Sequence, residues 1–227
     1  MLMQTRTCPG WMMHPSRLCR PRGRRRSLLL VRKQCWSKVM ACSCNDDCTC
    51  KVSVGQLAEL VGFAKAELWI DALNDTFARY DIDTPLRQAH FLAQILHETG
   101  GLKWLRELWG PTPAQERYEG RVDLGNTFVG DGFKFLGRGA IQLTGRSNYE
   151  QYSNHCGVNV VRDPSLVEQP PHAMLVAGWY WQSQGLNAYA DLDDVETVTR
   201  RVNGGLNGFK DRVQWLAEAK RVLNAGR

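Results

Sequence analysis

From residue 52 onward, apolar residues recur at the spacing of an amphipathic α-helix, and this periodicity constrains the fold more than any other feature of the chain. Val54, Leu57 and Leu60 share one face, and Leu73 and Phe77 continue the same pattern in the next segment. No stretch reaches the roughly 18 consecutive apolar residues of a membrane-spanning helix. The sequence therefore predicts a soluble, mainly α-helical domain over residues 52–227, without stable membrane insertion.

The third helical segment carries the first candidate catalytic group. Thr84 is a plausible N-cap with Pro85 at the first helical position, and Gly100 and Gly101 are expected to end the helix. Glu98 then falls in the last turn, where unpaired carbonyls disfavour a second negative charge and so favour the protonated carboxyl. A protonated carboxyl suits a general acid, although a solvated glutamate at a helix end explains the local sequence equally well.

His97 beside Glu98 raises the alternative of a zinc metalloprotease. That motif, H-E-x-x-H, needs a second histidine three residues after the glutamate. The residue at that position is Gly101, which excludes the metalloprotease interpretation.

A second carboxylate, Glu107, follows nine residues after Glu98 and precedes a Gly-Pro-Thr-Pro loop signal at residues 110–113. A loop between two carboxylates can hold them on opposite sides of a groove. Inverting glycosidases separate their acid and base by about 6.5 to 9.5 Å, which leaves room for the attacking water. On composition alone, the rival candidates for the second carboxylate are Glu116, Glu119 and Asp123.

The segment after residue 132 is rich in glycine and hydrogen-bonding residues. We expect residues 133–136 to form a short strand. The following Gly-Arg-Gly lacks the spacing and the lysine of a phosphate-binding loop. Gln142 and Thr144 alternate with Ile141 and Leu143, so the polar pair is predicted to face a wet cleft while the apolar pair faces the core.

Positive charge is concentrated at the amino terminus. The net charge is +6, yet residues 1–39 hold ten Lys and Arg and no acid, leaving 19 basic and 23 acidic residues in the remainder. A nucleic-acid enzyme would carry its positive charge on the folded domain. We therefore expect no nucleic-acid partner.

Seven of the eight cysteines lie in the first 50 residues, and Cys156, the eighth, is expected to be a small buried hydrophobe. The C-x-C spacings at residues 42–50 depart from those of usual zinc sites, so a redox-labile or adventitiously metal-binding tail is the simpler interpretation. Residues 1–51 also lack strand or helix periodicity and a recognisable secretory signal. We interpret them as a basic, Cys-rich segment that is disordered or outside the catalytic fold; translation from Met40 is an alternative that a mass measurement would test.

Six motifs in order resemble glycoside hydrolase family 19, above all the lysozyme-like endolysins of phages and prophages. The resemblance covers about residues 52–224 and extends to the core of plant class I and II chitinases. The motifs are His97-Glu98-Thr99-Gly100-Gly101, Tyr118-Glu119-Gly120-Arg121, Asp123-Leu124-Gly125-Asn126, Gly130-Asp131-Gly132, the segment at residues 137–149, and Asn203-Gly204-Gly205.

The resemblance implies a role for each matching residue. Glu98 takes the position of the general acid, Glu107 that of the base that activates water with inversion, and Thr144 that of the residue that positions the water. Whether Glu107 or Glu119 is the second carboxylate stays open at this point. The implied substrate-binding residues are Gln142, Asn148, Tyr149, Asn203, Arg212 and Tyr118. Aromatic residues beside these motifs are candidates for stacking on sugars: Trp104, Trp109, Tyr118 and Tyr149.

The implied fold is a mainly α, lysozyme-like, two-lobed helical fold with a central groove and at most a small β element. The implied function is hydrolysis of β-1,4 bonds between N-acetylated aminosugars of bacterial peptidoglycan by a monomer without metal or organic cofactor. Chitin is the alternative substrate, and a non-catalytic cell-wall glycan-binding module is the alternative function. We expect synthesis in a bacterial host cytoplasm and release to the wall through a holin; secretion without any holin would count against this route.

Overall fold

The computed structural model describes residues 51–225, which form ten α-helices and two short 3-10 helices. The predictions for residues 1–50 lie outside the described part of the chain. The α-helices are α1 Val54–Val61, α2 Phe63–Arg79, α3 Pro85–Thr99, α4 Pro113–Glu116, α5 Asp131–Lys134, α6 Arg146–Cys156, α7 His172–Ser183, α8 Leu186–Asp191, α9 Val195–Asn203 and α10 Phe209–Leu223; the 3-10 helices are Val122–Leu124 and Pro164–Glu168. Between residues 51 and 225, no helix is long and apolar enough to cross a membrane.

The ends of α3 follow the sequence signals. The Thr84 side chain accepts a hydrogen bond from the Arg87 amide at 3.2 Å, and Pro85 is the first helical residue. Gly100 closes the helix with φ of 58°, in the left-handed region that glycine adopts without a Cβ penalty. The predicted boundaries of this helix are confirmed, and Glu98 lies in its last turn.

Helix α3 runs through the core, because every residue from Gln88 to Leu96 is buried. The Phe91 ring packs edge-on against Phe77 of α2 at 5.5 Å and against Trp181 of α7 at 5.4 Å between ring centroids. Helix α10 packs against another face of α3. A helix that is covered on several faces holds its last turn, and with it Glu98, in a fixed orientation.

The β structure between residues 51 and 225 consists of isolated antiparallel bridges, Arg106 with Arg138 and Arg138 with Leu143. The expectation of at most a small β element is confirmed. The strand expected at residues 133–136 is wrong, because residues 131–134 form the short helix α5 instead. This turn is held from outside the segment, by hydrogen bonds between Asp131 and Arg146, a contact that local periodicity does not reveal.

Helices α2 and α7 approach closely at Gly178, and this contact generates a stability prediction. A Cβ at Gly178 would overlap the buried Tyr80 ring and lie 2.6 Å from Thr76 Cγ2. Overpacking of this kind costs about 1 to 3 kcal/mol, so we expect Gly178→Ala to lower the free energy of unfolding by at least that amount in urea denaturation.

Gly55→Ala in α1 is the matched control. A Cβ there would meet its nearest neighbour, Ser53 Oγ, at 3.9 Å. The same Gly-to-Ala change should therefore be neutral or stabilise the protein by up to about 1 kcal/mol. Equal unfolding free energies for the two variants would contradict the close approach of α2 and α7.

Candidate active site

The end of α3 is joined to α10 through two consecutive residues on each helix. His97 Nδ1 lies 2.6 Å from Asp211 Oδ2, and Glu98 forms an ion pair with Arg212. Arg212 also donates to Gln94 Oε1 at 2.6 Å, one turn earlier on α3. The side chains of Glu98 and Arg212 are 5% and 0% exposed, so this ion pair is shielded from solvent.

This arrangement bears on two predictions from the sequence. The helix end was expected to favour the protonated form of Glu98, and the structure places the Arg212 guanidinium against that carboxyl group. Arg212 was expected to bind substrate, and its side chain is fully buried against Gln94 and Glu98. Arg212 instead fixes the orientation of the Glu98 carboxyl group.

Glu107 is held by the Gly-Arg-Gly motif. The Glu107 amide donates to the Gly137 carbonyl at 2.8 Å, and the Gly139 amide donates to the Leu105 carbonyl at 2.8 Å. The Gly137 amide also donates to Glu107 Oε2 at 3.1 Å. The motif therefore positions both the backbone and the carboxylate of Glu107.

The other carboxylate oxygen of Glu107 accepts from two side chains. Gln115 Nε2 lies 3.0 Å from Oε1, and the Tyr118 hydroxyl lies 3.5 Å from the same atom. Burial, together with the negative charge of Glu107, raises the pKa of Tyr118 to about 12, so its hydroxyl stays protonated and can donate. Tyr118 was expected to bind substrate, but it is only 8% exposed and its hydroxyl contacts Glu107.

Three of the predicted polar residues come together around Gly137. A Cβ on Gly137 would lie 2.8 Å from Gln142 Oε1, 3.3 Å from Thr144 Oγ1 and 3.4 Å from Glu107 Oε2. The Thr144 hydroxyl donates to the Gln142 carbonyl at 2.9 Å, and Asn148 Nδ2 donates to the Thr144 carbonyl at 2.7 Å. The structure thus brings Gln142, Thr144 and Asn148 together with Glu107.

The rival carboxylates have other partners. Glu119 accepts from the Gly130 amide at 2.6 Å and from the Gly132 amide at 2.8 Å, so both of its oxygens bind backbone amides at the start of α5. Asp123 Oδ1 accepts from Arg121 Nε at 2.7 Å, and Glu116 is exposed on α4. Of these carboxylates, Glu107 is the one that the structure gathers with Gln142 and Thr144.

The aromatic candidates divide by exposure. Tyr149 was expected to bind substrate, and the structure places it in the core, 0% exposed, with its hydroxyl donating to the Leu136 carbonyl at 3.0 Å. Trp104 is 45% exposed, and Trp109 packs edge-on against Phe133 with ring centroids 5.2 Å apart. Both tryptophans line an open cavity of about 770 Å³ that also includes Glu107. They therefore remain available for sugar stacking.

Asn203 is the last residue of α9. Its Nδ2 atom is buried and has no hydrogen-bond partner in the structure. A buried amide nitrogen without a partner is energetically unfavourable. Asn203 lies apart from the Glu107 cluster in sequence and on a different element.

Sequence reasoning missed two features of the site. Gln115 went unnoticed, although Thr112-Pro-Ala-Gln115 matches the capping-box pattern and does form one. Arg138 supports the Gly-Arg-Gly segment through a 2.6 Å hydrogen bond to Glu168, and no local signal marks Glu168. Within residues 51–225, no group of three or more His, Cys, Asp and Glu side chains could hold a metal ion.

A buried ion pair anchors the loop beside the Glu107 cluster. Arg146 at the start of α6 donates to both oxygens of Asp131, at 2.8 and 2.6 Å, and the Phe128 amide donates to Asp131 Oδ2 at 3.1 Å. The hydrogen bonds from Arg146 lower the pKa of Asp131. The same loop supplies the glycine amides that bind Glu119.

Asp131→Asn should therefore lower the free energy of unfolding at pH 7 by about 1.5 to 3 kcal/mol, the range for hydrogen bonds to a charged group. Because the folded pKa is depressed, the contribution of Asp131 is present above its unfolded pKa of about 3.9 and is lost as the pH falls below it. The difference between wild type and variant should therefore shrink below about pH 4 in denaturant titrations at several pH values.

Asp123→Asn is the control for this prediction. Its partner is Arg121 on the surface, and its side chain is 44% exposed. Exposed ion pairs contribute at most about 1 kcal/mol, so this variant should lose less stability. A pH-independent loss in Asp131→Asn would contradict the role of the ionised pair.

Comparison with known proteins shows which family the chain belongs to. The family model described as chitinase class I, glycoside hydrolase family 19, matches residues 45–196. A family 19 domain-containing protein of Haemophilus influenzae is 33% identical over 154 residues, which cover 56% of this chain and 75% of that protein. An endochitinase of Arabidopsis thaliana is 31% identical over 162 residues, covering 67% of this chain and 51% of the plant protein, so the match spans about half of that relative.

Solved structures show the same fold. Chitinase C from Streptomyces griseus superposes with a TM-score of 0.63 at 23% identity, covering 79% of this chain and 95% of that one. A bacterial family 19 chitinase superposes with a TM-score of 0.58 at 21% identity, covering 76% and 94%. At these identities the likeness concerns the fold alone. Together with the matching family model, it leads to one conclusion: the chain belongs to glycoside hydrolase family 19.

Proposed function

We propose that this protein cleaves β-1,4 bonds between N-acetylated aminosugars by inversion, with Glu98 as general acid and Glu107 as general base. One observation carries the proposal: each carboxylate is held by its own buried partners, Glu98 by Arg212 and Glu107 by Gln115 and Gly137. Within residues 51–225, no hydrogen bond joins Glu98 to Glu107. Glycoside hydrolysis uses two carboxylates that flank the scissile bond, and inversion is the outcome that we propose for this pair.

On the acid side, Arg212 binds Glu98 Oε1. In the reactive form of the enzyme, Oε2 carries the proton and delivers it to the glycosidic oxygen as the bond to the anomeric carbon breaks. The Glu98 carboxylate that results is stabilised by the Arg212 guanidinium beside it.

On the base side, Glu107 Oε2 takes a proton from water while the water oxygen attacks the anomeric carbon from the opposite face. The Thr144 hydroxyl already donates to the Gln142 carbonyl at 2.9 Å, so its oxygen is left to accept a hydrogen bond from that water. Thr144 and Glu107 would then orient the attacking lone pair. Asn203, a partly exposed residue, and the exposed Trp104 are proposed substrate contacts.

For the polymer, we propose the glycan strands of bacterial peptidoglycan. The resemblance of the ordered motifs to lysozyme-like endolysins supports this choice. Chitin is the second candidate, because the plant relatives are named endochitinases. The two substrates share β-1,4-linked N-acetylated aminosugars, so the same pair of carboxylates serves either one.

Replacement of the two carboxylates tests the mechanism. Glu98→Gln and Glu107→Gln should each reduce the release of reducing ends by at least about 100-fold, the usual lower contribution of a general acid or base. Glu119→Gln should stay within a few-fold of wild type, because Glu119 binds loop amides. Full activity in Glu98→Gln would overturn the mechanism, and activity lost in Glu119→Gln but kept in Glu107→Gln would reassign the base.

The substrate is tested by measuring turnover of purified peptidoglycan and of chitin oligomers side by side. We expect a higher kcat/KM on peptidoglycan than on chitin oligomers. NMR of the product should show that the anomeric configuration at the new reducing end is inverted. Faster turnover of chitin oligomers would select the chitinase alternative. Binding of glycan without release of reducing ends would select a non-catalytic binding module.

A further inference from the structure

We propose that Gln115 is a positioning residue that orients the general base and donates a hydrogen bond to its carboxylate. The inference rests on the proposed function, in which Glu107 takes a proton from water. Gln115 is not itself placed to contact the reacting atoms, because its side chain binds only Glu107 Oε1 and the backbone of the 107–112 loop. It acts through Glu107.

The Gln115 side chain uses all of its hydrogen-bonding capacity within one loop. Its Nε2 donates to Glu107 Oε1 at 3.0 Å and to the Leu108 carbonyl at 2.7 Å. Its Oε1 accepts from the Gly110 amide at 3.1 Å and from the Thr112 amide at 2.9 Å. At 5% exposure, the side chain forms the centre around which residues 107–112 close.

These partners also fix which end of the Gln115 side-chain amide faces Glu107. The two backbone amides can only donate, so they must contact the oxygen of Gln115. The nitrogen is then directed at Glu107, and a flipped amide would place its oxygen against a carboxylate. Glu107 Oε1 is therefore always offered a donor, and Oε2 is held separately by the Gly137 amide.

The chemical consequence is a bias on the charge of Glu107. A hydrogen bond donated to a carboxylate favours its ionised form, whereas a like charge at the same distance disfavours it. Gln115→Glu replaces the donor by a carboxyl group of nearly the same shape, and the Gly110 and Thr112 amides can still bind one of its oxygens. This substitution reverses the electrostatic effect on Glu107 with little change in volume.

The test is the pH dependence of kcat, whose acidic limb reports ionisation of the base in the substrate complex. We expect Gln115→Glu to move that limb upward by about one pH unit or more, with KM within a few-fold of wild type. Gln115→Met, which removes the donor but adds no charge, should move the limb in the same direction by a smaller amount. Gln115→Met also provides the test if Gln115→Glu does not fold.

Thr112→Ala is the matched control for loop structure. Thr112 Oγ1 accepts from the backbone amide of Gln115 at 3.3 Å and caps α4, but it does not contact Glu107. This variant should lower the thermal midpoint and leave the acidic limb unmoved. An unmoved limb in both Gln115 variants, or an equal shift in Thr112→Ala, would overturn the inference. Failure of the proposed function would be recognised separately, by full activity in Glu107→Gln.

Discussion

The buried guanidinium of Arg212 is the interaction on which the rest of the structure depends. A fully buried charge costs several kcal/mol unless it is paired and hydrogen-bonded, and here Glu98 and Gln94 supply both kinds of partner. Gln94 and Glu98 lie one turn apart on the same face of α3, so the single residue Arg212 of α10 binds both of them. A shift of α10 along α3 would leave the buried charge of Arg212 without its partners. The free-energy cost of that loss therefore fixes the position of α10 relative to α3.

The two proposed catalytic carboxylates are held by different kinds of structure. Glu98 belongs to a helix that is covered on several faces, and its orientation follows from helix packing. Glu107 lies on an irregular segment, where the backbone pairs with Gly137 and Gly139 and the side chain is held by Gln115. Around Glu107, hydrogen bonds take the place of helix packing, because a loop buries too little apolar surface to be fixed by burial alone.

Local signals predicted what depends on neighbours in sequence. The cap at Thr84, the first-turn proline and the closing glycine of α3 each act within one turn, so they were readable in the chain. The order of polar motifs singled out Gln142 and Thr144, which the structure brings together with Glu107. The strand expected at residues 133–136 failed, because Asp131 is held by Arg146, 15 residues away.

Tyr149 shows the limit of motif reasoning most plainly. It adjoins Asn148, which binds the Thr144 backbone, yet the Tyr149 ring points into the core and is 0% exposed. Helical geometry sends adjacent side chains in different directions, so proximity in sequence does not decide which one reaches the groove. Arg212 and Gln115 were misjudged or missed for a related reason, since their roles are defined by partners they meet only after folding.

The sequence by itself determined the helical character of the domain, the end of α3 that carries Glu98, and the family to which the motifs point. Periodicity, capping and motif order are properties of the chain and need no long-range contact. The tertiary structure alone decided that Arg212 pairs with Glu98, that Glu107 rather than Glu119 joins Gln142 and Thr144, and that Gln115 binds Glu107. Those outcomes depend on burial and on donor and acceptor geometry between distant segments, and these exist only once the chain has packed.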